Sequence, residues 1–166
     1  QGYMECLSYS FIDKKSVELF SSKSTKEIKI INPISSEMTH MRQSLLPGLI
    51  KILEKNQAKG IKSLAIFEQG YCFESNQVGD ETYQISGVLS GSKSNFNLYK
   101  ETRSYDIFDI KRDLYELMGH LNLKSGNLKL ERDVPEILNP KRSDRVLLGK
   151  NFISILCQIK PLISKK

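Results

Sequence analysis

No apolar run in these 166 residues approaches the ~20 needed to cross a bilayer as a helix, which argues against a membrane span. No basic, apolar, small-residue leader opens the chain either, so nothing points to secretion, and a cytoplasmic protein is expected. The three cysteines, Cys6, Cys72 and Cys157, are widely spaced and odd in number, with no CxxC and no Cys/His cluster. That excludes a disulfide framework and a zinc site, and leaves buried free thiols as the expectation. Only two histidines are present, and neither His40 nor His120 has a serine, cysteine or carboxylate at a spacing useful for acid–base or nucleophilic work. "SGVLSGS" is not a G-x-S-x-G elbow, and no P-loop or G-x-G-x-x-G occurs. Catalytic, cofactor-binding and metal-binding residues are therefore expected to be none.

What is present fits one α+β domain, residues 1–166, long enough to bury a core. The chain starts at Gln1 inside a strand-like pattern and is expected to be truncated at its N-terminus, and at its C-terminus as well. The net charge of +6 is unevenly spread: residues 140–166 hold Lys141, Arg142, Arg145, Lys150, Lys160, Lys165 and Lys166 against Asp144 alone, while residues 1–139 balance. Such a segment can attract a polyanion such as RNA, or simply be a solvated end.

Along the chain, "CLSYSFI" (6–12) alternates Leu7, Tyr9 and Phe11 with serines, the period of a half-buried strand. Residues 13–27 read as a polar loop with a short helical turn, and "IKII" (28–31) as a short strand closed by Asn32-Pro33. After a connector the pattern turns helical from Ser44, with Leu45, Leu49, Ile52 and Leu53 on one face, Pro47 in the first turn and Gly60 as the C′ residue. "SLAIFEQGYCFES" (63–75), with a bend at Gly70, and "YQISGVLSG" (83–91), with Ile85 and Leu89 on one face, form a long antiparallel hairpin. Residues 92–104 read as a loop.

A helix from about Asp109 follows, with Ile110, Leu114, Leu117, Met118 and Leu121 in line and Asp106 or Asp109 as N-cap. These aspartates could bind a metal, but cap and dipole roles explain them more simply. "NLKLER" is a strand, and "RVLL" with "FISILCQI" a hairpin closed by the three residues 149–151. The sum is an antiparallel β-sheet flanked by helices. Tyr71, Phe73, Tyr83, Phe96, Tyr99 and Tyr105 could stack on bases, though at strand spacing they suit core and edge positions.

"GYMECLSYSFID", "NPISSEMTHMRQSLLPGLIKILEKNQAKGIKSLAIFEQGYCF" and "YDIFDIKRDLYELM" together resemble the bacterial-type phenylalanyl-tRNA synthetase beta subunit, across nearly the whole chain and in order. The resemblance implies the part of that subunit that looks like a class II aminoacyl-tRNA synthetase core but does not catalyse. It further implies an alpha-subunit partner in an (αβ)2 heterotetramer, with ATP and magnesium serving the full enzyme, none bound by this fragment, and tRNA as its macromolecular substrate.

In catalytic class II subunits the hairpin matching "LAIFEQGYCFES…YQISGVLSG" carries an arginine that grips the ATP phosphates. The nearest position here is Glu74, whose carboxylate repels phosphate. The chain departs from the family pattern at Arg112, Asn139, Ser154, Cys157 and Lys160. Two other classes are compatible with the residues: a stand-alone RNA-binding module using the basic C-terminal segment, and a cryptic class II enzyme.

Overall fold

A computed structural model of the chain describes residues 2–20, 27–94, 102–123, 128–132 and 138–159. The chain divides into two compact units, Gln1–Ser104 and Tyr105–Lys166.

In the first unit a three-stranded sheet has the order β1-β4-β5, where β1 is Met4–Glu5, β4 is Leu64–Phe73 and β5 is Glu81–Ser90. β4 and β5 form an antiparallel hairpin whose register runs unbroken from Leu64 opposite Ser90 to Phe73 opposite Glu81. The bend expected at Gly70 is therefore absent. β1 runs parallel to β4, with Met4 opposite Ile66, so one short parallel strand joins the expected antiparallel sheet. Two smaller antiparallel pairs accompany it: β2 (Phe11–Ile12) with β3 (His40–Met41), and β6 (Ser92–Ser94) with β7 (Thr102–Ser104). The last pair joins the ends of what the sequence presents as a loop. "IKII" contributes only a bridge, Lys29 to His40.

The helix α2 (Leu46–Ala58) forms as its periodicity dictates. Leu45 and Leu49 are fully buried, and Leu49 packs with Leu64, Ile66 and Val88. Pro47 sits in the first turn, where no intrahelical partner is lost. At the other end Gly60 N–H donates to Gln57 O and Ile61 N–H to Asn56 O, a Schellman closure that needs the positive φ of Gly60.

On β4, Leu64, Ile66, Glu68 and Cys72 alternate inward. On β5, Ile85 and Leu89 do share a face, but the core residue is Val88 on the opposite one, and Ile85 is exposed. In "CLSYSFI" the expected strand is corrected: only Phe11 and Ile12 lie in a strand, and Leu7 and Tyr9 point to solvent, 89% and 71% exposed. The cause is Ser8, which turns inward to the buried Glu68 carboxylate.

The polar stretch after Ile12 does carry a helix, α1 (Lys14–Phe20). Asp13 caps it, accepting from Ser16 N–H at 2.9 Å and Ser16 O–H at 2.8 Å, and pairs with Lys51 Nζ of α2 at 2.6 Å. Burial pushes the Asp13 carboxyl up, but the Lys51 and Ser16 hydrogen bonds and the Lys51 charge outweigh it and bring it down to about 2. A depressed carboxyl contributes stability above its unfolded pKa of ~3.9, and that contribution disappears as pH falls through about 2. Asp13→Asn keeps a capping side chain and removes the charge. Its urea midpoint should lie below the parent's at pH 6, and the gap should close between pH 4 and pH 2. A gap that ignores pH would contradict this assignment.

In the second unit α3 (Ile107–His120) is followed by β8 (Leu128–Glu131), β9 (Leu138–Leu148) and β10 (Asn151–Ile159), which form an antiparallel sheet of order β10-β9-β8. Asp106 is the N-cap, accepting from Phe108 N–H and Asp109 N–H, while Asp109 Oδ2 accepts from Asp106 N–H at 3.0 Å. This capping box starts the helix two residues before the expected Asp109. Asn122, at φ 55°, closes the other end, with Leu123 N–H donating to Met118 O. Met118, Leu138, Val146 and Leu156 are buried, whereas Leu121, just past the helix, is exposed. The β9–β10 connection is two residues, Gly149-Lys150, because Asn151 already pairs with Leu148; Gly149 supplies a φ of 65°.

Candidate functional site

The most constrained chemistry in the first unit lies under β4. Strand alternation carries Glu68 inward between Ile66 and Gly70, and its side chain is completely buried. A buried carboxylate is costly unless it is paired and its lone pairs are filled. Both conditions are met. Arg42 Nη1 lies 2.6 Å from Glu68 Oε1, Ser8 N–H donates to Oε1 at 3.1 Å, and Ser8 O–H lies 2.8 Å from Oε2. Arg42, 5% exposed, spends a second donor on the network's frame: Nε–H donates to Tyr71 O at 2.9 Å.

The Arg42 backbone is bound on both sides as well, its N–H to Ser10 O and its carbonyl to Phe73 N–H. Gly70 and Gly48 make room: a Cβ at Gly70 would overlap Arg42 Nη2, and one at Gly48 would overlap Ser8 Oγ. The result is an internally neutral cross-brace between the N-terminal segment, β3 and β4. Its guanidinium is committed to protein acceptors and is out of reach of an incoming phosphate.

Sequence reasoning missed this trio. The one readable signal was the phase of β4, which puts Glu68 in step with Leu64 and Ile66.

The residues the sequence singles out are dispersed. Glu74 follows β4 and is exposed; it accepts from Thr82 O–H at 3.3 Å, and its N–H donates to Asp80 O. The whole stretch 63–92 contains Glu68, Glu74, Asp80 and Glu81 and no lysine or arginine. His40, expected in a connector, is a buried β3 residue whose Nδ1 lies 2.8 Å from Thr39 Oγ1. His120 ends α3 in the other unit and is exposed. Asp106 and Asp109 form the capping box, and Arg112 lies beside Asp109 at 3.5 Å and Asp113 at 3.0 Å. Among the described residues no three His, Cys, Asp or Glu side chains converge as a metal site would require.

Tyr71 and Tyr83 are exposed on the outer face of the hairpin and meet edge to face at 5.0 Å. Phe73 and Tyr105 are half-buried, and Phe96 and Tyr99 lie outside the described residues. Burial pushes the Cys72 and Cys157 thiols up to about 11, Arg42 partly opposing this at Cys72, and Cys6 is raised as well. All three are free and poor nucleophiles at neutral pH, although Cys6 and Cys157 are only half-buried.

Of the basic C-terminal segment, Lys141 and Arg142 are exposed, and Arg142 Nη1 donates to Gln158 Oε1 at 3.1 Å. Arg145 is half-buried, its guanidinium 4.9 Å from the centre of the Phe152 ring. The first two can meet a phosphate, while Arg145 is part of the packing. Residues 160–166, with three of the seven cations, lie outside the described residues. Of the departures from the family pattern, Asn139 Oδ1 accepts from Lys141 N–H at 3.1 Å, and Ser154 adjoins a register shift in β10. Lys160 is not described.

Residues 1–166 match the family described as phenylalanyl tRNA synthetase beta chain CLM domain. The chain is 34% identical over 165 residues to the phenylalanine–tRNA ligase beta subunit of Cereibacter sphaeroides, covering 99% of this chain and 20% of that protein. It is 36% identical over 167 residues to the Rickettsia typhi protein of the same name, covering 99% and 20%. It thus spans about a fifth of the length of the curated relatives it matches. Among solved structures it is similar to a pyrrolysyl tRNA synthetase from Desulfitobacterium hafniense, with TM-score 0.64 and 14% identity, over 99% of this chain and 56% of that one. At that identity the likeness concerns the fold alone.

Proposed function

The chain belongs to the phenylalanyl tRNA synthetase beta chain CLM domain family, and from that premise we propose that it is a non-catalytic, class II-like core which supports assembly with a catalytic alpha subunit. In the complete (αβ)2 enzyme the alpha subunit would bind ATP, magnesium and phenylalanine and charge tRNA in the cytoplasm. This chain would contribute scaffold.

The observation that carries the reading is the fate of charge on the β4–β5 hairpin. In a catalytic subunit this element must present a cation to the triphosphate, because developing negative charge needs a preorganised positive partner. Here the hairpin has four carboxylates and no cation of its own between residues 63 and 92. Among the described residues the guanidinium shown to reach it is that of Arg42, which is buried and neutralised by Glu68. These residues do not fit an ATP phosphate chain, and no catalytic step is assigned to them.

Two measurements test the proposal. Isothermal titration of the chain with ATP and magnesium should give no saturable heat, and micromolar binding would favour a cryptic enzyme instead. Co-expression with the cognate alpha subunit should yield a co-purifying complex, and failure to associate would remove the scaffold role.

The RNA-module reading has its own test. Filter binding of tRNA to the chain should be weak and fade steeply with salt, at a log–log slope of about −0.7 to −0.9 per phosphate contact. Lys141→Gln with Arg142→Gln should remove much of it at unchanged stability, since both side chains are exposed. Arg145→Gln should instead lower stability through its lost contact with Phe152. Tight binding that persists at high salt would favour the RNA module.

A further inference from the structure

One polar cluster of the first unit is used by nothing above. Where α1, the Lys29 bridge and β3 come together, a cavity of about 340 Å³ is lined by Lys14, Glu27, Lys29, Ser36, Thr39 and His40. The register explains the grouping. His40 pairs with Ile12 on one side and with Lys29 on the other, and residues directly opposite in antiparallel strands project to the same face.

His40 is 3% exposed, and its Nδ1 is occupied by Thr39. Its Nε2 faces Glu27 Oε2 at 3.6 Å, longer than a hydrogen bond. The nitrogen makes no hydrogen bond among the described residues, and a ligand oxygen can compete with Glu27 for it.

The charges at the rim set the ligand's sign. Lys29 is exposed and has no ion-pair partner among the described residues. Lys14 is shared with Glu18 at 3.5 Å, a contact between exposed groups that binds weakly. Among the described residues Glu27 is the one carboxylate on the cavity wall, and its side chain is 44% exposed, so water screens its charge. Two lysines, two hydroxyl-bearing side chains and the His40 ring line the space, and when Thr39 O–H donates to Nδ1 the ring proton sits on Nε2, where it can be donated to a ligand. A tetrahedral oxyanion with several acceptor oxygens can use donors arriving from different directions. The volume lies at the lower end of the ~300–1,000 Å³ typical of small-ligand sites, enough for a phosphate and part of the group that bears it.

We propose that Lys14, Lys29, Thr39 and His40 form a binding site for a phosphate group, presented either as a free phosphate or by an RNA backbone. The inference goes beyond the scaffold reading and does not depend on it.

The chain's two histidines make a direct test possible. Ring-proton NMR of the chain, assigned with His120→Gln, should show His40 signals moving saturably as inorganic phosphate is added at constant ionic strength, while chloride moves neither histidine. The variant Lys14→Gln/Lys29→Gln should weaken that response at least tenfold. Both side chains are exposed, and an unchanged urea midpoint will report that the variant is folded. A short single-stranded RNA is the second arm. An RNA-induced shift that phosphate competes away supports the site and identifies a backbone source, and a phosphate response without an RNA response supports it with a free phosphate. No saturable His40 shift with either probe overturns the proposal. So does a phosphate response that the double lysine variant retains in full.

Discussion

Arg42→Met is expected to destabilise the chain by ~3–5 kcal/mol, the loss that follows when one member of a buried ion pair is removed. Methionine fills part of the space but leaves Glu68 fully buried with no countercharge. Ser8 still donates two hydrogen bonds to that carboxylate, which is not enough to hold a desolvated anion. Tyr71 O loses its donor too. Against a domain stability of ~5–15 kcal/mol, the urea midpoint should fall sharply, and the least stable preparations should unfold.

Arg42→Lys separates charge from geometry. One ammonium can meet Glu68 but cannot also reach Tyr71 O as the Nε–H does, so its loss should be intermediate. In the double variant Arg42→Met/Glu68→Leu the two losses should not add, because the uncompensated charge is gone from both sides. If Arg42→Met stays within ~0.5 kcal/mol of the parent, the range of ordinary surface changes, the cross-brace is not what holds β3 to β4.

The same brace shows where sequence reasoning stops. α2 and α3 were readable because their signals are local: an apolar face at helical spacing, Pro47, Asp106, Gly60. The β4–β5 hairpin was readable from two alternating runs and the polar turn between them. Ser8, Arg42 and Glu68 are separated along the chain by 34, 26 and 60 residues in their three pairings, and no periodicity rule links residues that far apart.

Their pairing also explains the clearest inversion. The apolar members of "CLSYSFI" were expected to face a core, yet Ser8 is held inward by Glu68, so Leu7 and Tyr9 must project outward. A polar contact made in three dimensions overrode a two-residue hydrophobic period. His40 is a second case, because the weakly periodic segment around it offers no sign that Ile12 and Lys29 flank it. The family is legible only in the longer motifs, because the alternation pattern alone supports no more than an α+β domain.

Leu49→Ala is expected to cost ~2–5 kcal/mol, the range for truncating a buried leucine. Leu49 is fully buried and packs with Leu64, Ile66 and Val88, so it couples α2 to both strands of the hairpin. Alanine is the better helix former, and intrinsic propensity therefore works against the loss, but by at most a few tenths of a kcal/mol. Removing the side chain leaves a void whose walls, the three partners among them, can close only partly. The neighbouring Leu46, Ile52 and Leu53 are already half-buried against the same cluster.

Ile52→Ala should consequently cost distinctly less, since part of that side chain is already in water. Chemical denaturation of both variants checks the order. For Leu49→Ala the midpoint should drop with an unchanged urea slope, the signature of altered stability rather than altered unfolding surface. An equal loss at Ile52 and Leu49, or an unchanged midpoint at Leu49, would mean that this helix face is held by something other than the hairpin.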